Sequence, residues 1–248
     1  MIAALTIAGS DSGGEAGLQA DLRTLWALGV HGTCAVTCVT AQSRQEVAAV
    51  VPLPGGAVAD QIRLACAGFD VRAVKVGMVG NAEIVGAVRD ALLVHAAGIP
   101  VVLDPVLVST SGQRLLAADA LPALLGLLPH VTLVTPNLAE AEVLAGWGPV
   151  GTVEEMARAA GEIARTGGCS VLVKGGHAAG DAVDVLVHGG EVRRFSSPRV
   201  AAGRTHGSGC RLSSAIAAWL AKGADMRRAV EEGKRYVTGW LRGHAGPS

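Results

Sequence analysis

Short apolar segments alternate with helix-like segments along almost the entire chain. The runs Val101-Val102-Leu103 and Val171-Leu172-Val173 are apolar on both faces, which is typical of parallel strands buried on both sides. Alternation of this kind builds βαβ units, in which helices cover a mostly parallel sheet. The sequence therefore predicts an α/β fold.

The pattern predicts eight strands and eight helices. The strands are Ala4–Ala8, Thr33–Thr40, Ala73–Val76, Pro100–Leu103, Val131–Val134, Ser170–Val173, Ala182–Val187 and Glu191–Phe195. The helices are Leu18–Leu28, Val58–Ala67, Ala82–Ala97, Ala117–Leu127, Leu138–Ala145, Val153–Thr166, Ser208–Ala221 and Met226–Leu241. Because neither a Pro/Ser-rich linker nor an internal repeat interrupts this order, we predict one domain over residues 1–248.

Composition narrows the classes of function. Half of the 248 residues are hydrophobic and 17% are charged, which is enough apolar material for a sizeable core. Lys plus Arg equal Asp plus Glu at 21 each, without a basic stripe, which argues against nucleic acid as the main partner. No apolar run reaches the ~18 residues of a membrane span, and the N-terminus lacks the basic region of a signal peptide.

The five cysteines are scattered, without a C-x-x-C pair, which favours reduced thiols over a disulfide framework. We therefore expect a cytoplasmic protein. Cys34 and Cys38 are four residues apart on a predicted strand, so we expect both on one face, within the core.

Polar residues follow the predicted strands at their carboxyl ends, where open α/β sheets bind ligands. Together with the loop that opens the seventh helix, seven such segments are present: 9–14, 40–42, 77–78, 104–105, 135–137, 174–177 and 205–210. Their convergence on one crevice favours an enzyme that acts on a small molecule over a passive scaffold.

The segment Thr205-His206-Gly207-Ser208-Gly209-Cys210 leads directly into a predicted helix. Glycines around Ser208 permit a tight turn whose N–H groups point at one spot, at the positive end of the helix dipole. This geometry suits a phosphate. A helix N-terminus also lowers the pKa of a thiol toward neutrality, which would make Cys210 a base or nucleophile. The alternative is a helix cap with Cys210 as a small buried apolar residue.

Three further polar residues lie where a phosphate or a metal would be held. Lys174 follows a buried strand and could neutralise phosphate oxygens, or it could be a lysine at a strand end whose ammonium reaches water. Asn137 and Glu140 open a helix as N-cap and N3 residues, and a carboxylate beside a phosphate can also hold Mg²⁺. Asp104, before Pro105, either initiates a turn or completes the surroundings of the metal.

Other phosphate and metal motifs are absent from the sequence. Neither G-x-x-x-x-G-K-[ST] nor H-E-x-x-H occurs. His206 is expected to support its loop by hydrogen bonding. Asp21 and Gln42 are polar residues in apolar surroundings, and the Gln42 amide could pair with an aminopyrimidine or a similar heterocycle. Met78 could form a pliable wall for a flat ring.

Together these stretches resemble the hydroxymethylpyrimidine/phosphomethylpyrimidine kinases of thiamine biosynthesis, within the ribokinase-like superfamily. The matching strings, in order, are ALTIAGSD from Ala4, AGLQADL from Ala16, TAQ from Thr40, KVGM from Lys75, VLDPV from Val102, TPNLAEAE from Thr135, VKGGH from Val173 and THGSGC from Thr205. The resemblance implies a three-layer sandwich, with helices on both faces of the sheet.

The resemblance also implies roles for the matching residues. The activity would be ATP- and Mg²⁺-dependent phosphorylation of a hydroxymethylpyrimidine and then of its monophosphate, and whether K⁺ assists stays open. A homodimer is expected. Catalysis would rest on Cys210 as base, Lys174 as phosphate partner, and the amides of Gly207, Ser208 and Gly209. Asn137, Lys174 and Thr205 would contact the nucleotide, Glu140 and Asp104 the metal, and Gly9, Asp21, Gln42 and Met78 the pyrimidine.

Several positions depart from the family pattern. They are Glu15 for glycine, Ser43-Arg44 for Asn-Thr, Thr110 for lysine, Gly203-Arg204 for Arg-Asn, Ser208 for threonine and Arg211 for threonine. Two alternatives therefore stay open. One is a vitamin B6 kinase or a dual-specificity kinase, although dedicated pyridoxal kinases typically carry aspartate at position 210. The other is a catalytically silent ligand-binding protein on the same fold.

Overall fold

One sheet connects the described parts of the chain. The computed structural model describes residues 1–43, 46–109, 112–176, 181–200 and 206–244. The strands are β1 (Ile2–Asp11), β2 (His31–Gln42), β3 (Val47–Pro52), β4 (Asp70–Val76), β5 (Val101–Leu103), β6 (Leu133–Val134), β7 (Ser170–Val173), β8 (Ala182–His188) and β9 (Glu191–Ser197). The helices are α1 (Gly17–Ala27), α2 (Gly55–Gly68), α3 (Ala82–His95), α4 (Leu121–Leu127), α5 (Leu138–Ala145), α6 (Val153–Gly167), α7 (Ser208–Ala221) and α8 (Met226–Gly243).

The strand order is β3-β2-β1-β4-β5-β6-β7-β8-β9. Strands β2, β1, β4, β5, β6 and β7 run parallel. Strand β3 is antiparallel to β2, and β8 is antiparallel to both β7 and β9. The first strand lies inside the sheet, so the chain moves outward to either side of β1. The carboxyl ends of the parallel strands are consequently gathered at one edge.

Side chains that alternate along the strands divide the core into two layers. In β5, Val101 and Leu103 pack into one cluster and Val102 packs into the other. The same division occurs along β7, where Leu172 faces away from its two neighbours. Helices α2 to α6 contribute to the first cluster, and α1, α7 and α8 contribute to the second. The predicted α/β fold with helices on both faces is confirmed.

Two helices near the site begin and end as their sequences indicate. The side chains of Asn137 and Thr152 accept hydrogen bonds from the N3 backbone amides of α5 and α6. The N3 glutamate side chains accept from the N-cap backbone amides in turn, which completes two capping boxes. Glycines with positive φ, Gly146 and Gly168, follow the last turns. The Asn137–Glu140 arrangement that the sequence suggested is therefore present.

Eight helices and eight strands were predicted, and all of them occur with boundary shifts of a few residues. The antiparallel strand β3 was missed. It lies at the sheet edge, and four of its six residues are exposed, including Ala48, Ala49 and Val51. Because it is mostly exposed on both faces and ends in Pro52, it lacks the apolar alternation that marks a half-buried strand.

The prediction that Cys34 and Cys38 share a buried face is wrong. Cys38 is buried, whereas Cys34 is exposed. Between the pairs Ala8–Val36 and Ser10–Val39, β2 has one residue more than β1. This bulge reverses the alternation, so residues four apart fall on opposite faces. Among the described residues, no helix combines the length and the apolar character that crossing a bilayer requires.

We expect the central strands to carry most of the stability. Leu133 on β6 is fully buried, so Leu133→Ala should lower the free energy of unfolding by about 2–5 kcal/mol. The matched control is Leu64→Ala on α2, where the leucine is 59% exposed and the loss should stay below about 1 kcal/mol. Urea denaturation measures both, and equal losses would contradict this assignment of the core.

Candidate active site

A cleft of about 280 Å³ opens at the carboxyl ends of the parallel strands. Most residues selected from the sequence line it: Gly9, Gln42, Met78, Asp104, Asn137, Glu140, Lys174, Gly207, Ser208, Gly209 and Cys210. Asp21 does not line it. Thr205, Arg44, Thr110, Gly203 and Arg204 lie outside the described residues.

One end of the cleft is formed by Gln42 and Met78. The Oε1 atom of Gln42 accepts a hydrogen bond from the Thr40 hydroxyl at 3.3 Å, and its Nε2 lies 3.3 Å from Nε2 of His206. His206 therefore connects its loop to the amide that is expected to recognise a heterocycle. A Cβ at Gly9 would lie 2.7 Å from Sγ of Cys38 and 3.3 Å from Sδ of Met78, so only glycine leaves this floor open.

The loop beside that end is organised by Asp11, which the sequence reading had not singled out. Its carboxylate accepts the backbone amides of Gly13, Glu15 and Ala16 at 2.8–2.9 Å. The Asp11 amide is in turn held by Gln19 Oε1 at 2.8 Å. A short run of glycine and serine is thereby fixed without regular secondary structure.

The other end is built around Lys174, which follows β7. Its Nζ donates to Oδ1 of Asp104 at 2.7 Å, and its backbone amide donates to Pro136 at 2.8 Å. A Cβ at Gly209 would lie 3.1 Å from Lys174 Nζ and 3.7 Å from Oδ2 of Asp104. The glycine turn and the lysine, 35 residues apart in sequence, therefore meet at one point.

The turn before α7 presents its amides to this point. Gly207 has a φ of 75°, a conformation that favours glycine, and no described side chain caps the helix. The first amides of α7 are thus left for an anion at the positive end of the helix dipole.

Arg211 fastens this turn to the loop after β1. Its Nη1 donates to the carbonyl of Glu15 at 2.7 Å and to that of Gly207 at 3.1 Å, and its guanidinium carbon lies 4.0 Å above the Trp240 ring. Glu15 and Arg211, two departures from the family pattern, are therefore in contact. Arg211 is buried, so it joins both loops from below rather than adding charge to the surface.

The expectation that the helix N-terminus makes Cys210 acidic is contradicted. Burial raises the pKa of the Cys210 thiol to about 11, even though Lys75 and the amide of Gly17 favour the thiolate. The carboxylates of Asp21 and Asp104 act in the same direction as burial. Desolvation outweighs the contributions that favour the thiolate, so the unliganded protein carries a thiol at neutral pH.

The predicted contact of Asp21 with substrate is also corrected. Its Oδ2 accepts from the Thr6 hydroxyl at 2.6 Å and from Lys75 Nζ at 2.8 Å, while its Oδ1 accepts from the Ser214 hydroxyl at 2.7 Å. Asp21 is fully buried beneath the cleft. The apolar surroundings of Asp21 had suggested a ligand. They instead contain Lys75, which does line the cleft.

Three of the four lysines in the chain line this one cleft, and each is paired with an aspartate. The pairs are Lys75–Asp21, Lys174–Asp104 and Lys234–Asp184, with N–O distances of 2.8, 2.7 and 2.7 Å. Burial disfavours the ammonium form of Lys174, but the carboxylates of Asp104 and Glu140 outweigh it and raise its pKa. Burial likewise disfavours the charged form of Asp104, but Lys174 and Lys75 outweigh burial and lower the pKa of Asp104.

The Lys234–Asp184 pair was missed from the sequence. Asp184 also accepts the Gly175 amide at 2.9 Å, so the pair fixes the loop that follows Lys174. An aspartate within the apolar run Ala182–Val187 was the one available signal, because an acid on a buried strand needs a partner. Lys75 was missed because it precedes Gly77 inside a strand and carries no motif of its own.

The carboxylates of Glu140 and Asp104, in the part of the cleft built around Lys174, fit Mg²⁺. Burial raises the pKa of Glu140 to about 7, because Lys174 and its capping bonds compensate only part of the desolvation. A cation beside Glu140 and Asp104 would supply the missing compensation. Mg²⁺ commonly takes one or two protein carboxylates and completes its shell with phosphate and water, so this small donor set suffices. Among the described residues, no cluster of three or more metal-ligating side chains exists.

Comparison with known proteins decides the family. The sequence model of the phosphomethylpyrimidine kinase family matches residues 11–247. The chain belongs to the phosphomethylpyrimidine kinase family. A hydroxymethylpyrimidine/phosphomethylpyrimidine kinase of Rhizobium meliloti is 47% identical over 236 residues, which cover 94% of this chain and 88% of that protein.

Solved structures agree with this membership. A phosphomethylpyrimidine kinase from Clostridium difficile superposes with a TM-score of 0.85 at 39% identity, covering 97% of this chain and 100% of that one. The ADP complex of a pyridoxal kinase from Bacillus subtilis reaches a TM-score of 0.90 at 35% identity, covering 98% and 92%. The family thus combines this fold with kinase activity, and the predicted ribokinase-like kinase fold is confirmed.

The raised pKa of Glu140 predicts a pH dependence of stability. Because folding raises it from 4.5 to about 7, the protonated form favours the folded state. In metal-free protein, the contribution is complete below pH 4.5 and is lost as the pH rises through 7. Glu140→Gln should remove this loss, on the order of a few kcal/mol.

Denaturant titrations at several pH values, with a chelator present, measure the effect. The matched control is Glu154→Gln on α6, whose side chain is 74% exposed. It should keep the pH slope of the wild type. Equal slopes for wild type and Glu140→Gln would show that Glu140 is not the titrating group.

Proposed function

We propose that this protein transfers the γ-phosphoryl group of ATP to the hydroxymethyl oxygen of 4-amino-5-hydroxymethyl-2-methylpyrimidine, and then phosphorylates the monophosphate to the diphosphate. The observation that carries the proposal is the meeting of Lys174 with the uncapped turn at Gly207–Gly209, in a cleft that Gln42 also lines. A flat amide-pairing substrate and a phosphate chain would then lie end to end.

Each side chain has a defined part in binding. Gln42 would pair with the aminopyrimidine edge, with Gly9 and Met78 against the ring. Lys174 and the amides of Gly207, Ser208, Gly209 and Cys210 would bind the transferring phosphoryl group. Asn137 and Thr205 would contact the nucleotide.

In the transfer step, the alcohol oxygen forms a bond to the γ-phosphorus as the bond to the bridging oxygen breaks and ADP leaves. The alcohol proton passes to the sulfur of Cys210 as thiolate. Positioning and charge neutralisation dominate this kind of reaction, which suits a site built from amides and ammonium groups. Asp104 and Glu140 would hold Mg²⁺, which when bound neutralises phosphate charge.

Three further parts complete the proposal. A homodimer rests on the resemblance to the family, whereas a single kinase domain over residues 1–248 and location in the cytoplasm rest on the sequence pattern and the scattered cysteines. Use of K⁺ stays an open question. Vitamin B6 is the second candidate substrate class, because the pyridoxal kinase from Bacillus subtilis superposes as well as the pyrimidine kinase does.

The direct test offers ATP and Mg²⁺ with the hydroxymethylpyrimidine, its monophosphate or pyridoxal, side by side. We expect turnover of both pyrimidines, with kcat/KM for the pyrimidine alcohol above that for pyridoxal. Gln42→Leu should reduce pyrimidine kcat/KM by about 10–100-fold, because the amino group and ring nitrogen of the pyrimidine lose the Gln42 amide as their partner. Turnover of pyridoxal alone would replace the substrate assignment, and binding without turnover would indicate a silent protein.

The role of Cys210 predicts a pH profile. With a thiol pKa near 11, the thiolate fraction rises about tenfold per pH unit, so kcat should rise from pH 6 to pH 9. Cys210→Asp, which offers a carboxylate, should reach its plateau at lower pH. Cys210→Ala should lower kcat by about 10²–10⁴-fold. A full rate in Cys210→Ala, or one shared pH profile for all three proteins, would show that Cys210 is not the base.

A further inference from the structure

Lys75 is the bulkiest of the fully buried side chains, yet it lines the cleft. Burial disfavours its charge, but the carboxylates of Asp21 and Asp104, together with the Cys210 sulfur, outweigh burial and raise the pKa of Lys75. The Lys75 side chain therefore remains an ammonium at physiological pH. A fixed, buried positive charge at the floor of a cleft is costly to assemble and acts strongly on whatever lies above it.

The ammonium of Lys75 has donor capacity to spare. Asp21, at 2.8 Å, is its one hydrogen-bond acceptor among the residues that the structure describes. Two of its three N–H hydrogens are thus without a protein acceptor there. Asp21 cannot swing away with it, because the hydroxyls of Thr6 and Ser214 also donate to that carboxylate.

The ammonium of Lys75 lies close to Gly77 and acts on Cys210. A Cβ at Gly77 would be 2.5 Å from Nζ of Lys75, so the ammonium sits against the backbone just before Met78. On the other side, its charge acts on the Cys210 sulfur. Ser214, which shares Asp21 with Lys75, is one helical turn beyond Cys210 on α7.

A substrate that reaches from Gln42 to Lys174 and Cys210 occupies the same cleft that Lys75 lines. The part of a hydroxymethylpyrimidine that lies between the ring and the transferring phosphorus is its alcohol group. As the alcohol proton leaves and the oxygen attacks phosphorus, negative charge develops on that oxygen before the new bond is complete. A preoriented ammonium stabilises such a charge more strongly than the neutral alcohol.

We propose that Lys75 is a second catalytic cation, whose ammonium, held in place by Asp21, donates a hydrogen bond to the alcohol oxygen of the substrate. Its task differs from that of Lys174, which is paired with Asp104 and faces the turn that would hold the phosphoryl group. The proposal rests on the proposed function, because it takes a pyrimidine alcohol as the substrate.

The test compares two ligands that differ only in the alcohol. They are 4-amino-5-hydroxymethyl-2-methylpyrimidine and the analogue with a methyl group in its place. The main variant is the double substitution Lys75→Met with Asp21→Asn, which removes the pair without leaving a buried charge unpaired. Isothermal titration gives the ratio of the two dissociation constants, and kcat is measured on the alcohol with ATP and Mg²⁺.

We expect the wild type to prefer the alcohol and the double variant to lose about tenfold of that preference, while it still binds the methyl analogue. The variant's kcat should fall by about 10²–10³-fold. Lys222→Met, at the lysine outside the cleft, is the matched control and should change neither quantity. A merely structural role of Lys75 would weaken both ligands equally, and that result would overturn the proposal.

Gly77→Ala gives a second route to the same answer if the double variant does not fold. Its Cβ would lie 2.5 Å from Nζ of Lys75, too close for van der Waals contact, and would displace the ammonium without deleting the charge. We expect the same loss of preference, and an unchanged preference would overturn the proposal. Failure of the proposed function looks different, because the wild type itself would then neither bind nor phosphorylate the pyrimidine, and the role of Lys75 would fall with it.

Discussion

Buried lysine–aspartate pairs are the constraint on which the rest of this site depends. Burial disfavours an ammonium, whereas nearby carboxylates raise the pKa of Lys75 and of Lys174 and keep both charged. Asp21, Asp104 and Asp184 pair with the three lysines that line one cleft. The members of each pair come from different elements: α1 with β4, the loop after β5 with the end of β7, and β8 with α8. The positive field therefore exists only when the sheet and its helices are fully assembled.

Glycines, which have no side chain, are as important to this site as the charged residues. Gly209 lets the turn before α7 approach Lys174, Gly77 leaves room for Lys75, and Gly9 keeps the floor beneath Met78 open. Arg211 then ties the turn to the loop after β1 through two carbonyls. Amide dipoles and ammonium groups are in this way oriented before any substrate arrives, which is the condition for efficient charge stabilisation.

Sequence patterns predicted the layers and most of the cleft, because alternation and strand-end polarity are local signals. The buried runs around Val102 and Leu172 and the Asn137 cap are examples. The errors concern features that the local sequence does not encode. A bulge in β2 leaves Cys34 exposed, Asp21 pairs with a lysine 54 residues away, and burial raises the pKa of the Cys210 thiol. The spacing of residues along the chain predicts none of these outcomes, because each depends on which distant residues pack against that position in the folded protein.

A crystal structure with a non-hydrolysable ATP analogue and the hydroxymethylpyrimidine bound together tests the site most directly. We expect γ-phosphate oxygens within about 3 Å of Lys174 Nζ and of the amides of Gly207–Cys210, with the alcohol oxygen between Lys75 and Cys210. Phosphates bound away from the Gly207 turn, or a ring that does not touch Gln42, would contradict this expectation.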